Sequence, residues 1–227
     1  MELDYKIVRS PKRKKLTITV ERDRSVVVHA PEGTSDEMVR RVVDAKRQWL
    51  FGKLNHAQKY EARPHPPGKE VVNGESAPYL GTDYRIEVAE TASGEIEFSS
   101  HFVVPAAHQA KRREVLRDWY MARANEEIIS RVQRHAHELG VEYASAKIVD
   151  LRYRWGSCTA SDNVTLNWRL IKAPMFVIDY VIIHELAHLI ESNHTPRFWN
   201  IVRAKTATME KAKAWLKDHG QVLEEEL

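Results

Sequence analysis

Alternation of apolar and polar positions dominates the first hundred residues, and helical spacing dominates the remainder of the chain. "LTITV" (16–20) and "SVVVHA" (25–30) carry the β-branched content of strands and predict an antiparallel pair joined by the charged turn "ERDR". From Ser35 or Asp36 onward, Val39, Val42, Val43, Lys46, Leu50 and Leu54 recur at helical spacing, with Ser35 as N-cap and Glu37 in the first turn. That helix is expected to end before "RPHPPG" (63–68), a stiff connector. Beyond it, Asn73-Gly74 signals a tight turn, and "YRIEVAETASGEIEFSS" alternates on both sides of Ser93-Gly94, so this stretch reads as strand-rich.

After Pro105 a long helix is predicted up to a stop at Gly140, its apolar stripe formed by Val115, Trp119, Met121, Ala124, Ile128, Val132, Ala136 and Leu139. His135 and His137 read as ordinary residues of that helix. Two strands, "AKIVDLRYRW" and "NVTLNWRL", come next and turn at Ser161-Asp162-Asn163. Pro174 then opens a helix containing "YVIIHELAHLIESNH" (180–194), Thr195 and Pro196 start another, and a last helix runs from Met209 to a stop at Gly220. The expected architecture is α+β: a β-rich lobe with one helix over residues 1–104, and a second domain over 105–227 that carries the histidine-bearing helix packed on a small sheet.

Composition narrows the class. Of 227 residues, 43% are hydrophobic and 30% charged, which describes a globular chain that buries a real core. The single cysteine, Cys158, excludes an intrachain disulfide, the first residues lack a secretory h-region, and no apolar run approaches bilayer length. The expectation is a cytoplasmic protein with no membrane partner. Residues 1 to 65 hold 15 Lys/Arg against 9 Asp/Glu, within a chain whose formal net charge is +3, so the basic surplus is N-terminal. Arg9, Lys12, Arg13, Lys14 and Lys15 cluster in it. They fit a solvated turn with a protected sheet edge, or a phosphate-binding patch giving weak association with nucleic acid.

The stretch 180–194 sets His184, Glu185, His188 and His194 into an apolar run. Burying four titratable groups is costly unless each is paired, hydrogen-bonded or bound to a metal, and a metal accounts for all four together. At about 100° per residue, His184 and His188 share one helix face a turn apart, the geometry of two imidazoles on one ion. Glu185 borders that face without joining it, so it reaches a water at the metal without being a ligand. A catalytic zinc wants three protein ligands and one open position. His194 supplies the third once the chain has turned, with Ser192-Asn193 able to make that turn and Asn193 tolerating the left-handed region. Cys158 reads as a small buried residue rather than a fourth ligand.

With these residues in view, the chain resembles the YgjP-like metallopeptidase family, within the broad zincin group that also includes SprT-like proteases. The resemblance rests on "SVVVHAPEG", "KRQWL", "PYLGTDYRIEV", "RWGSCTASDNVTLNWRLIKAP" and "DYVIIHELAHLIESNHTPRFW", in this order over almost the full length. It implies a zinc hydrolase with ligands His184, His188 and His194 and with Glu185 as catalytic acid/base. It also makes the hairpin containing Arg154, Trp155 and Asn167 a cleft wall that binds substrate. The residues alone equally fit core roles for Trp155 and Trp168 and a bulge at Gly156. Glu191 stands where metzincins have glycine, so no metzincin turn is implied, and "KTATMEKAKAWL" lacks a proline expected from relatives. Arg154, Tyr153, Arg169 and Asn167 are alternatives for a second electrophile. The favoured reading is a zinc metallopeptidase acting on peptide or protein substrates. The alternatives are a metal-dependent nucleoside triphosphate pyrophosphatase and a nucleic-acid-associated module with a vestigial site.

Overall fold

A computed structural model of the chain describes residues 4–11, 13–20, 25–55, 70–90, 94–151 and 154–223. The chain divides into two compact units, Met1–Pro64 and His65–Leu227. The connector 63–68, the turn 21–24 and Lys12 lie outside the described residues.

In the first unit, β2 (Thr17–Val20) and β3 (Val26–Pro31) form the expected antiparallel pair, Thr17 opposite His29. A strand that the sequence pattern does not predict, β1 (Lys6–Ser10), joins them in parallel to β3, giving the order β1-β3-β2. The Ser35 hydroxyl accepts from the Met38 N–H at the start of α1 (Asp36–Ala45), as its N-cap position predicts. The helix breaks at Lys46, and α2 (Arg47–Asn55) comes after it. Val26, Val28, Ala30, Val39, Val43 and Leu50 form a core of their own.

The second unit begins with β4 (Ser76–Tyr79) and β5 (Thr82–Ala89), then β6 (Glu97–Phe98) and β7 (Phe102–Pro105), in the order β4-β5-β7-β6. β5 and β6 do not pair with each other; both flank β7. Within the second unit this sheet packs on the next helix. Tyr79, Phe98 and Phe102 meet Trp119 at ring-centroid distances of 5.0–5.5 Å, and the Tyr120 hydroxyl donates to the Pro78 carbonyl at 2.7 Å. That helix, α3 (Arg112–Leu139), stops at Gly140 with φ 69°, the expected left-handed cap. Its buried stripe is Leu116, Tyr120, Ala124, Ile128, Val132 and Ala136, turned slightly from the expected one and including His135.

Three strands come next: β8 (Ser145–Val149), β9 (Gly156–Cys158) and β10 (Asn163–Asn167). β10 lies between the other two, parallel to β8 and antiparallel to β9. The expected first strand therefore splits. Its early half is β8, and the hairpin partner of β10 starts only at Gly156. A 3-10 segment, Trp168–Lys172, leads into α4 (Met175–Ala187), and α5 (Pro196–Lys205) and α6 (Met209–Leu223) complete the unit. α4 is apolar nearly all round and buries nine residues, because it contacts α3, β9, α5 and α6. α6 runs through Gly220 instead of stopping there. A Cβ at Gly220 would sit 3.3 Å from the Trp155 ring, so the glycine serves helix packing.

The start of α4 is fixed by the β4–β5 turn. Leu80 and Gly81 N–H groups donate to the Ile171 and Lys172 carbonyls at 2.9 and 3.0 Å. Gly81 has φ +84°, and a Cβ there would fall 2.6–2.9 Å from Pro174. Gly81→Ala is thus expected to destabilise the protein by at least about 1–2 kcal/mol, from left-handed strain plus displacement of Pro174. A denaturant titration checks this, and an unchanged midpoint would show that the turn does not hold α4.

Candidate metal centre and active site

Within α4, His184 and Glu185 occupy the last full turn, and His188 is the C-cap with φ −66° and ψ −19°. The chain leaves the helix at once: Leu189 and Ile190 N–H groups bond back to Leu186 and Ala187. The reversal thus starts at the second histidine, not at Ser192-Asn193, and Asn193 is not among the residues with positive φ. Thr195 then caps α5, its hydroxyl accepting from the Phe198 N–H at 3.3 Å, with Pro196 at the first helical position.

This path returns His194 to the other two histidines. One ring nitrogen from each of His184, His188 and His194 lies within 4.8 Å of the others, and the Nε2 atoms of His184 and His194 are 3.1 Å apart. His188 Nδ1 lies 3.3 Å from the Glu191 carbonyl, which selects the tautomer that leaves Nε2 free for the cluster. Burial, and then the neighbouring His194, push the His188 pKa down, favouring the neutral imidazole that ligates a metal. Beneath the three rings lies Phe198, wholly buried, with centroids 4.6–4.9 Å from each. Trp199 stacks on His194 at 5.5 Å and 22°. Neither aromatic is singled out by the sequence pattern, although Phe198 stands one helical turn beyond His194. Three neutral imidazoles converging on one point fit a divalent cation of borderline softness.

Glu185 is only 7% exposed. Burial raises its pKa to about 7, opposed by the Arg154 charge and by the Cys158 N–H, which donates to the carboxylate. β9 approaches so closely that a Cβ on Gly156 would stand 2.7 Å from Glu185 Cγ and 2.8 Å from Oε1. The ladder explains which groups β9 leaves over. Asn167 N–H donates to the Trp155 carbonyl and Thr159 N–H to the Asn163 carbonyl, so the odd-numbered residues of β9 bond to β10. Gly156 and Cys158 direct their backbone groups away from β10.

The other expected site residues separate. Arg154 is exposed beside Glu185, and Trp155 is partly buried against Gly220. Asn167 is fully buried. Its amide donates to the Leu151 and Arg154 carbonyls at 2.8 and 3.1 Å and accepts from the Arg169 N–H, so it ties down the loop before β9. Arg169 pairs with Asp150 and lies over the Trp168 ring, and Tyr153 lies outside the described residues. Cys158 is half-buried and its thiol pKa is pushed up to about 11, chiefly by burial. It is not among the residues of the metal cluster. In the first unit, Arg9 of β1 pairs with Asp36 at the start of α1, and Arg13 donates to Thr17. No helix among the described residues is long and apolar enough to cross a membrane.

A histidine triad beside a buried carboxylate and an open strand edge is the equipment of a metal-dependent hydrolase. The chain belongs to the YgjP-like metallopeptidase domain family, whose model matches residues 14–219. It is therefore a metallopeptidase, a hydrolase of peptide bonds that uses a divalent metal ion. Two solved structures are similar over part of the chain. The metallopeptidase zymogen abylysin of Pyrococcus abyssi is 23% identical, with a TM-score of 0.37, covering 44% of this chain and 98% of its own. The zymogen jannalysin of Methanocaldococcus jannaschii is 22% identical, with a TM-score of 0.37, covering 42% and 97%. No curated protein matches.

The Glu185 environment sets two expected outcomes. The folded carboxyl keeps its proton up to about 7, whereas an unfolded one releases it near 4.5, so the metal-free protein loses stability as pH rises through that interval. Metal-free Glu185→Gln should match the wild type at pH 4 and exceed it at pH 8 by up to about 3 kcal/mol, read from thermal midpoints. Equal midpoints at both pH values would mean the carboxylate is not desolvated. Gly156→Ala should keep the bound metal but lower kcat at least about tenfold, because the methyl displaces the carboxylate by a fraction of an ångström. Full activity in that variant would show that the close approach does not position Glu185.

Proposed function

We propose that this metallopeptidase is a zincin-type zinc enzyme of the cytoplasm in which His184, His188 and His194 hold the metal and Glu185 is the general base. The observation that carries the reading is the convergence of three ring nitrogens next to a carboxylate pressed against a glycine. When bound, the zinc supplies Lewis acidity to water and to the scissile carbonyl.

The protein's own residues do the rest. Glu185 accepts the proton of the attacking water and passes it to the leaving amine, a role suited to a carboxyl whose burial moves its pKa toward neutrality. The positive charge of a bound metal will lower that pKa again, so the acid limb of kcat/KM is expected below 7. The Cys158 N–H and Arg154 favour the ionised form and hold the carboxylate in place. Arg154, exposed at the mouth, is the remaining described candidate for the second electrophile, since Asn167 and Arg169 are engaged elsewhere. An extended peptide adds to the edge of β9 that faces away from β10, where Gly156 and the Cys158 carbonyl offer backbone groups. Trp155 flanks this edge. A phosphoanhydride substrate finds less support, because the three imidazoles suit zinc better than Mg²⁺ and two of the basic N-terminal residues, Arg9 and Arg13, are engaged with Asp36 and Thr17. A vestigial site has no use for Glu185 in its desolvated position.

Elemental analysis of protein purified without added metal should find about one zinc per chain, reduced in His194→Ala. Glu185→Gln should retain that zinc and lose nearly all cleavage of casein or a quenched fluorescent peptide, about a hundredfold or more. Wild-type turnover by Glu185→Gln, or unchanged zinc in His194→Ala, would overturn the assignment.

A further inference from the structure

A pocket of about 370 Å³ opens between α5 and α6, lined by Trp199, Asn200 and Arg203 from the first helix and Met209, Glu210 and Lys213 from the second. It is joined to the histidine centre through one side chain. Trp199 stacks on His194, lies 5.7 Å from His184, and forms a wall of the pocket. The Lys213 ammonium sits 5.2 Å from the centroid of the same indole.

The charges in the pocket do not cancel. Lys213 pairs with Glu210 at 3.2 Å. Arg203 makes one hydrogen bond, Nη1 to Asn200 Oδ1 at 3.3 Å, and among the described residues no carboxylate pairs with it. One guanidinium therefore faces the pocket with donors to spare, beside the apolar surfaces of Trp199 and Met209. A planar guanidinium binds a carboxylate through two parallel N–H bonds, and the apolar walls suit a methylene stem leading to it. Charge and shape together select an acidic group on a short aliphatic arm.

We propose that this pocket is a specificity subsite for a glutamate side chain of the peptide, flanking the scissile bond, with Arg203 as its anion partner and Trp199 as the wall shared with the catalytic centre. The proposal rests on the metallopeptidase reading of the histidine centre. It makes the substrate an acidic peptide.

A carboxylate can come from a side chain or from a chain terminus, and the test separates them. The probe is a fluorescein-labelled octapeptide series with a single Glu walked along an otherwise neutral sequence, its Gln counterparts, and both sets with free and amidated C-termini. Binding is measured by fluorescence anisotropy to zinc-loaded Glu185→Gln protein, which needs no turnover. At one or two Glu positions affinity is expected to exceed that of the Gln peptide by about fivefold or more, irrespective of the terminus. Adding Arg203→Gln should bring the ratio near one, with an unchanged circular dichroism spectrum. A preference that tracks the free terminus instead assigns the pocket to a chain end and overturns the side-chain subsite. Equal binding of all peptides, or a Glu preference that survives Arg203→Gln, overturns the pocket altogether. Cleavage of the same peptides by wild-type protein keeps the two readings apart. Cleavage without Glu preference sinks the subsite alone, and Glu-selective binding without cleavage of any peptide sinks the reading of the centre.

Discussion

The close approach of β9 to α4 at Gly156 and Glu185 is the constraint on which the active centre depends. With a side chain at 156 either the strand or the Glu185 side chain would have to shift, and the carboxylate would leave its present place against the β9 backbone. With glycine there, the carboxylate is desolvated on the strand side, raised toward neutrality, and still held by the Cys158 N–H. Desolvation, the larger effect, raises the pKa, the Arg154 charge opposes it without cancelling it, and the Cys158 N–H holds the carboxylate in position. The same contact brings the outer edge of β9 beside Glu185, so in the proposed reading one packing event sets both the base and the track for the peptide.

A helix that carries chemistry on two adjoining faces must be fixed in rotation as well as in place. Its N-terminus is clamped where Pro174 meets Gly81, and its side is clamped at Asp179. Asp179 accepts from Arg131 at 2.8 Å and lies 3.0 Å from His135 Nε2, both on α3. Burial alone would raise the Asp179 pKa, yet it is lowered, because the hydrogen bonds and charges of His135 and Arg131 outweigh the lost hydration. His135 thus gains a specific task that its place on α3 did not reveal. Below the histidines, Phe198 fills the space against which all three rings rest, so the histidine cluster is supported by an apolar floor.

Titratable residues inside an apolar run announced the His184–His194 cluster, because few other structures tolerate such a combination, and the Thr195-Pro196 and Gly140 signals fixed neighbouring helix ends for equally local reasons. What failed was decided by tertiary packing. β7 is buried at three of its four positions and shows no alternation, so "FVVP" lacked a strand signature. β1 is largely exposed and basic, and only its parallel pairing to β3 makes it a strand. Gly220 looked like a stop but makes room for Trp155. Asn167 looked like a cleft residue, whereas its place at the start of the 3-10 segment, with its side chain accepting from Arg169 N–H, is the local signal of a cap.

The helix end itself favours the chemistry. α4 stops at Ala187, its last carbonyls taken up by the N–H groups of residues 188–191, so the negative end of its dipole lies beside His188, an environment that favours positive charge. In the proposed reading the metal can then be held by neutral imidazoles alone, and the single nearby carboxylate need not be drawn into coordination. Exposure increases from Glu185, which is buried, through His184 and His188, which are half-buried, to His194, which is exposed. The cluster therefore opens on the His194 side, where Trp199 stacks, and is most enclosed at Glu185, against β9. In the proposed reading, a peptide entering there would meet the three histidines before Glu185, which stays the most sheltered of the four.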